Sequence, residues 1–296
     1  MKKISVSLTN LSTATVLGVL TMASICAAAQ AQSSSARKEA HLDLAAGGAV
    51  TIVNNFGSIN LKSDSGHQVV IAYTAHSDKI EVDQQVTPDK RRVEIRAHAI
   101  GDQKPTADEA RVDLDVMVPA GTSVTVNSST APITADAANG DLSLFSDTGH
   151  ITVQNVARSH VQIQTVGGPV ALNNVSGHVD VSTSGGAVQL SQVNGTKVKV
   201  GTGSGNITYK GDCSGGGTYA FRTHSGNIDM TLPQTASVDL TASSRSGQVE
   251  NDFPLQTKTH PVFVPKGGRS FAGTSNSGSS SVELQSFSGR IRVKKQ

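Results

Sequence analysis

The chain has 296 residues and a formal net charge of +2, with 25 Lys and Arg residues against 23 Asp and Glu residues. Lys2 and Lys3 supply the excess, so the rest of the chain has no net charge to attract nucleic acid or an anionic membrane surface. The length suits one large all-β domain or two smaller ones, and the lack of Trp, with only three Tyr and seven Phe residues, leaves few aromatic platforms for sugar rings.

The first 31 residues have the features of an export signal. They combine the charged start MKK, an apolar stretch of small residues from Val16 to Ala31, and a small-x-small cleavage sequence at Ala29–Ala31. We therefore predict a signal peptide over residues 1–31, a mature N-terminus near Gln32 and a short linker over residues 32–41. Because the apolar stretch is short for a membrane span, we expect no span after signal removal and a location in the periplasm, on the outer cell surface or outside the cell.

The two cysteines are not expected to form a disulfide, because Cys26 falls within the predicted signal and leaves Cys213 alone. Lipidation of Cys26 is disfavoured, since Ile25 precedes it where a small residue is expected. Cys213 lies in a Gly-rich turn, KGDCSGGG, and His224 follows eleven residues later. A nucleophile and its base need a third group that orients the base, and none is identifiable, so we interpret Cys213 as an unpaired thiol in a turn.

A repeat runs through most of the chain and is found by aligning short segments on a turn residue, called position zero. Position zero is occupied by Gly57, Ala131, Gly149, Gly168, Gly186, Gly205, Gly226, Gly247 and Gly289. The residues five and seven before it, and two and four after it, are apolar in all nine segments except at Asn251, and mostly polar residues stand between them. This alternation predicts a turn flanked by two strands, each with one buried face.

The interval between successive turns predicts a solenoid. From Ala131 onward the interval is 18, 19, 18, 19, 21 and 21 residues, and then 42, which is twice 21. A single unit of this size cannot bury its apolar residues alone, so the units must stack with paired strands about 4.8 Å apart. Val156, Val175 and Val193 add a third inward contact, seven residues after position zero.

The repeat thus predicts an all-β fold, a parallel β-helix or β-solenoid of about 18–21 residues per coil. Parallel crossovers are overwhelmingly right-handed, so we expect a right-handed coil. A hairpin-built β-sandwich is disfavoured, because it does not require the same offsets in nine segments.

Two parts of the chain depart from the repeat. Residues 62–118 break the repeat with long and highly charged alternations, which suggest antiparallel hairpins covering the end of the stack, so residues 42–118 are predicted to form N-terminal strands and a cap. Residues 119–296 contain the solenoid repeats, with an irregular insertion at residues 252–281 before a final coil. The terminal sequence RIRVKKQ is expected to protect the last strand edge with its charges.

The sequence GGAVTIVNNFGSINLK at residues 47–62, the sequence VDLDVMVPAGTSVTVNSSTAPITA at residues 112–135, and the later units TSGGAVQL, GSGNITY and HSGNIDM resemble the bacterial exported putative-adhesin family. The resemblance covers roughly residues 42–293. It implies a β-helix-like repeat fold with a strand-rich N-terminal part. It brings no catalytic residue, because this is a domain of unknown function, and the word adhesin is an analogy from shape.

His160 and His178 occupy the same outward position, eight residues before position zero, and are predicted to be stacked neighbours. Asp141 and Lys197 are the other members of this column. Two imidazoles alone make a weak metal site, so we expect a solvated surface here.

Asp229 and Glu250 both lie three residues after position zero, in consecutive segments, and their backbones are expected to lie about 4.8 Å apart. Their carboxyl groups would then approach the separation used in retaining glycosidases. The same column contains Gln189, Thr208 and Arg292, which are typical of a wet surface that does not raise the pKa of a carboxyl group. We therefore expect weak repulsion rather than catalysis, and we assign no catalytic, cofactor-binding or metal-binding residue.

The sequence favours an exported non-enzymatic β-solenoid, either an adhesin or a binding or structural protein of the cell envelope. Its expected partner is a protein or polysaccharide ligand of the envelope or surface, with no cofactor and no nucleic acid. The alternative is a β-helix lyase or hydrolase that acts on polysaccharide, and a third hypothesis is a sensing or scaffolding role in envelope stress.

Overall fold

The alternating segments of the sequence form strands that pair with their counterparts in neighbouring coils. The computed structural model describes residues 36–102, 104–214, 216–257 and 268–296. The predicted signal peptide, Cys26 and the cleavage site near Gln32 lie outside the described residues. Within these residues the chain has no helix, and so none that is long and apolar enough to cross a membrane.

The described residues form 22 strands of one continuous sheet. In the N-terminal half they are β1 (Lys38–Asp43), β2 (Ala49–Val53), β3 (Gly57–Asp64), β4 (Gln68–Ala75), β5 (Ile80–Val86), β6 (Arg92–Ala99), β7 (Val112–Pro119), β8 (Ser123–Ser128), β9 (Ile133–Asp136) and β10 (Leu142–Ser146). They continue with β11 (Ile151–Thr165), β12 (Val170–Thr183), β13 (Val188–Thr202), β14 (Ile207–Lys210), β15 (Thr218–Thr223), β16 (Ile228–Leu232), β17 (Val238–Ser244), β18 (Val249–Asn251), β19 (Gln256–Thr257), β20 (Ser270–Ser275), β21 (Ser280–Ser286) and β22 (Ile291–Lys295).

Each coil contributes one strand before its turn and one strand after it, so the stack consists of two columns of parallel strands. The column before the turn runs in space through β6, β2, β8, β10, the second halves of β11, β12 and β13, and then β15, β21 and β17. The column after the turn runs through β7, β3, β9, the first halves of β11, β12 and β13, and then β14, β16, β22 and β18. This arrangement confirms the predicted β-solenoid.

The core consists of the four apolar columns that the repeat predicts. Their side chains are at most 2% exposed in every coil, except at Val249 and Asn251. Both exceptions lie on β18, which pairs only with β22 among the described strands. The side chain of Asn251 bonds the backbone of Phe253 instead, accepting its N–H at 3.1 Å and donating to its carbonyl at 2.9 Å. The predicted third contact is also buried, at Val156, Val175 and Val193.

A column of buried hydroxyl groups, which was not predicted from the sequence, holds the turns in place. Three residues before position zero stands a buried hydroxyl whose oxygen accepts the backbone N–H of the turn glycine at 2.8–3.0 Å. These hydroxyls belong to Ser146, Thr165, Thr183, Thr202, Thr223, Ser244 and Ser286. Several also donate to a carbonyl of the adjacent coil, as Ser244 does to Gly289 at 2.9 Å. The hydroxyl therefore joins the turn of one coil to the turn of the next.

The turn glycines are required because the coils meet there backbone to backbone. A Cβ at Gly205 would overlap the carbonyl of Gly186, and a Cβ at Gly226 would overlap the carbonyl of Gly205. Any side chain at these positions would push neighbouring coils apart and break the strand pairing on both sides of the turn.

The last coil of the chain does not lie last in the stack. β21 pairs with β15 on one side and β17 on the other, and β22 pairs in the same way with β16 and β18. The coil that turns at Gly289 therefore lies between those that turn at Gly226 and Gly247. The prediction that RIRVKKQ protects the last strand edge is wrong, because β22 is an interior strand. Antiparallel β20, within the predicted insertion at residues 252–281, covers the outer side of β17.

The N-terminal end is built in the same way. β2 lies between β6 and β8, and β3 lies between β7 and β9, so the first coil of the chain is the second coil of the stack. The predicted antiparallel cap is present: β4 pairs with β1 and β7, and β5 pairs with β6. β6 and β7 also pair in parallel with the stack, which the sequence pattern did not indicate, because a strand with one buried face alternates identically in either orientation.

Neighbouring positions on β13 should respond oppositely to the same charge. Val188→Asp would place an unpaired carboxylate in the core, where Val188 is fully buried, and should cost several kcal/mol and prevent folding. Gln189→Asp should change the free energy of unfolding by less than about 1 kcal/mol, because its side chain is exposed. Urea denaturation followed by circular dichroism measures both, and equal damage would contradict the assigned inward column.

Two glycines of the same coil provide a matched test of the backbone contact. Gly205→Ala should destabilise the protein by about 1–3 kcal/mol, because its Cβ would overlap the carbonyl of Gly186. Gly201→Ala should be tolerated within about 0.5 kcal/mol, because a Cβ there meets no atom within 4 Å. Thermal unfolding of the two variants should separate them clearly, and a harmless Gly205→Ala would refute the role given to the turn glycines.

Candidate functional site

Cys213 is a structural thiol in a left-handed turn. It is 1% exposed, its φ is 51°, and its backbone N–H donates to the hydroxyl of Tyr209 at 3.2 Å. Its carbonyl accepts a hydrogen bond from the Ser280 hydroxyl at 2.6 Å. Burial raises the pKa of the thiol to about 12, so the thiolate needed for nucleophilic attack does not form near neutral pH.

His160 and His178 stack as predicted, with ring centroids 4.5 Å apart and an angle of 38° between the ring planes. Asp141 accepts the backbone N–H of His160 at 3.1 Å, and Lys197 lies opposite His178 on the next strand. Partial burial, followed by the nearby positive groups of His160 and Lys197, lowers the pKa of His178. The lowered pKa favours the neutral form of the His178 imidazole in this stack.

Asp229 and Glu250 are not neighbours, and the prediction that they lie in adjacent strands is wrong. Arg292 lies between them, paired in register with Asp229 on one side and Glu250 on the other. Its Nε is 3.4 Å from a carboxylate oxygen of Glu250, and its Nη2 is 3.6 Å from Asp252. The intercalated last coil thus replaces the expected repulsion between two carboxylates by attraction to a guanidinium.

One group of side chains could share a cation. Glu81, Asp83 and His98, which face each other across β5 and β6, are the only three His, Cys or carboxylate groups of the described residues with ligand atoms within 4.8 Å of one another. Glu81 and His98 are exposed. His98 also lines a separate cavity of about 350 Å³, whose wall includes the buried Asn54.

The intercalated coil builds a ladder of exposed side chains two residues before position zero. His224, Phe287 and Arg245 occupy this position in three adjacent coils. The rings of His224 and Phe287 are stacked, with centroids 4.7 Å apart and an angle of 10° between their planes. The Arg245 guanidinium carbon lies 5.3 Å from the Phe287 centroid, within the range of a cation–π contact. Phe287 remains 42% exposed, so this ladder presents the edge of an aromatic ring to solvent between an imidazole and a guanidinium.

Two more arginines surround the ladder. Arg222 forms an ion pair with Glu283 at 2.8 Å, and Arg269 donates to the carbonyl of Arg245 at 3.4 Å. We call Arg222, His224, Arg245, Arg269 and Phe287 the arginine corner. Within the described residues neither Arg245 nor Arg269 has a carboxylate partner. The corner opens on a concavity of about 510 Å³, which is lined further by serines and Gln285.

Sequence reasoning missed this site because its parts are far apart in the chain. Aligning the repeat at position zero does place His224, Arg245 and Phe287 in one outward column, which was the available signal. In chain order, however, His224 and Arg245 would be neighbours and Phe287 would follow at the end. The position of Arg269 had no signal, because it lies in the segment where the repeat is interrupted.

Comparison with known proteins gives the family. The profile described as Toastrack DUF4097 matches residues 71–294. This chain belongs to the Toastrack DUF4097 family. The prediction from sequence, a domain of unknown function with a β-solenoid-like fold, is confirmed.

Two solved structures are similar to this Toastrack chain. One is described as a putative cell adhesion protein from Clostridium sporogenes ATCC 15579, with 14% identity, a TM-score of 0.30, and coverage of 88% of this chain and 100% of that one. The other is described as a putative adhesin from Parabacteroides merdae ATCC 43184, with 9% identity, a TM-score of 0.26, and coverage of 89% and 97%. These TM-scores are too low for either structure to support a conclusion about this chain. No curated protein matches this sequence.

The Cys213 thiol of this Toastrack chain should be inert while the chain is folded. The raised pKa and the burial together predict almost no reaction with iodoacetamide at mildly alkaline pH, and full reaction once denaturant exposes the residue. Mass spectrometry of the alkylated protein measures both states. Rapid alkylation of the native protein would contradict the structural role.

Proposed function

We propose that this protein is an exported, non-enzymatic β-solenoid that binds an acidic polysaccharide of the cell envelope or surface at its arginine corner. The observation that carries the proposal is the pair of exposed guanidiniums, Arg245 and Arg269, beside the stacked rings of His224 and Phe287. Such a corner supplies both groups that an acidic sugar needs: positive charge for its carboxylate or sulfate, and the apolar edge of Phe287 for the C–H groups of its ring.

The charges favour an anionic ligand. A guanidinium presents several N–H donors in a planar fork that matches the oxygens of a carboxylate or sulfate. Arg222 already satisfies Glu283, whereas the other two guanidiniums hold no carboxylate among the described residues. A bound acidic group would therefore gain two charge-assisted partners without breaking an internal ion pair.

The shape of the concavity and the groups that line it favour a sugar as the ligand that carries the negative charge. The ring of Phe287 is packed between His224 and Arg245, so little side-chain freedom is lost when a ligand covers its exposed edge. Gln285 and several serines line the same concavity and offer hydrogen bonds to hydroxyl groups. A concavity of about 510 Å³ lies within the range of small-ligand sites.

Export and the absence of catalysis remain parts of the proposal. Export is supported by the sequence of residues 1–31. The position of Arg292 between Asp229 and Glu250 separates the two carboxylates that a glycosidase site in this column would need. The alternative, a lyase or hydrolase, differs in one outcome, because an enzyme would shorten the polysaccharide that it binds.

The binding proposal is tested with hyaluronan, whose units alternate between acidic and neutral, and with dextran as a neutral polymer. Isothermal titration calorimetry should detect hyaluronan binding that weakens with added salt, and no dextran binding. The double variant Arg245→Gln with Arg269→Gln should lose at least about tenfold in affinity, because both unpaired guanidiniums are removed.

The control is Lys210→Gln with Lys295→Gln, which removes the same charge from exposed positions on β14 and β22. An equal loss of affinity in the control would reduce the effect to net charge and contradict a defined site. Shortened hyaluronan after incubation with the wild type, detected by size-exclusion chromatography, would replace the binding proposal by the enzyme.

A further inference from the structure

We infer that the bound polysaccharide lies lengthwise along the stack, in a groove that contacts seven successive coils. This inference rests on the proposed function and specifies the form of its ligand: a linear polymer of several units rather than a single sugar. The groove is formed by the side chains of two outward columns that lie beside the turns.

The two columns lie two and four residues before position zero and are not buried. From the coil of Gly149 to that of Gly247 in spatial order, the column at four before contains Phe145, Gln164, Ser182, Gly201, Arg222, Gln285 and Ser243. The column at two before contains Asp147, Val166, Ser184, Gly203, His224, Phe287 and Arg245.

These columns line two concavities. The one at the arginine corner belongs to the coils of Gly226, Gly289 and Gly247. A second concavity of about 440 Å³ belongs to the coils of Ala131, Gly149, Gly168 and Gly186, and its lining includes Phe145, Gln164 and Ser184. Both therefore lie on the same side of the solenoid, separated by a single coil.

The separating coil has no side chains in either column. It places Gly201 at four residues before position zero and Gly203 at two before. A Cβ at Gly201 would meet no atom within 4 Å, so the space above this coil is open. Gly203 does lie against the neighbouring coil, since a Cβ there would overlap the carbonyl of Ser184, whereas Gly201 has no such contact. The pair of glycines thus leaves the two concavities joined along the stack axis.

The dimensions suit a linear polysaccharide. Seven coils spaced about 4.8 Å apart span roughly 30 Å, and one coil spacing is close to the advance of one sugar unit along an extended chain. A chain of about six units would therefore cover both concavities and the coil between them, with its units nearly in step with the coils.

The two ends of the groove differ in chemistry. The arginine corner attracts an acidic group, whereas the other end has neutral hydrogen-bonding groups at Gln164, Ser182 and Ser184 and an exposed apolar contact at Val166, which is 57% exposed. Asp147 would repel a carboxylate there and accept a hydroxyl. The fitting ligand is therefore a polysaccharide that contains both acidic and neutral units.

The groove is tested by the length of the ligand. For the wild type, a hyaluronan octasaccharide should bind at least about tenfold more tightly than a tetrasaccharide, because only the longer chain can fill both concavities. Gly201→Trp places a ring in the gap between them and should reduce octasaccharide affinity to that of the tetrasaccharide, while tetrasaccharide affinity stays unchanged. Calorimetry measures all four affinities.

Lys210→Trp is the matched control, since it adds the same ring at an exposed position outside both columns and should alter neither affinity. Circular dichroism verifies folding, and Ser184→Trp, at an exposed residue inside the second concavity, serves the same purpose should Gly201→Trp misfold. Equal affinity of the two oligosaccharides for the wild type, or an octasaccharide affinity untouched by the blocking ring, would overturn the groove and leave the arginine corner standing. Failure of both oligosaccharides to bind would overturn the proposed function itself.

Discussion

The closeness of neighbouring coils at the turn is the constraint on which the rest of this structure depends. From Gly149 onward, each turn glycine presses against the carbonyl of the adjacent coil, and the buried hydroxyl three residues earlier accepts its N–H. A hydrophobic core alone would tolerate small shifts between coils, because apolar contacts have no direction. The glycine contact and the directed hydrogen bond fix the register, and that register brings identical columns of inward and outward residues into line over the whole stack.

Both ends of the solenoid protect their open strand edges by the same change in coil order. The first coil of the chain is inserted one place in from the N-terminal end, and the last coil is inserted one place in from the C-terminal end. The first and last coils of the chain therefore each have parallel neighbours on both sides. Fraying of a chain end would have to break two sets of strand pairings. The outermost coils are joined to antiparallel strands, β4 and β5 at one end and β20 at the other.

This device also creates the candidate site. Inserting the coil of Gly289 between those of Gly226 and Gly247 places Phe287 between His224 and Arg245, and it places Arg292 between Asp229 and Glu250. This coil order therefore assembles the aromatic and cationic ladder before the turn. After the turn, the same coil order separates two carboxylates that would otherwise be neighbours. Stability at the chain end and the chemistry of the surface come from the same rearrangement of coil order.

The sequence by itself determined which residues face inward, since an alternation that recurs at fixed offsets leaves a strand only one face to bury. It also indicated that His160 and His178 would stack, because neither is affected by the coils at the ends. Coil order was decided by the tertiary structure alone. Every coil presents nearly the same pattern of inward apolar residues. The burial energy of a coil therefore depends little on which coil lies beside it, and the pattern cannot predict the order of the coils. That choice appears in long-range backbone pairing, such as that of β21 with β15 and β17, which has no signature in local sequence.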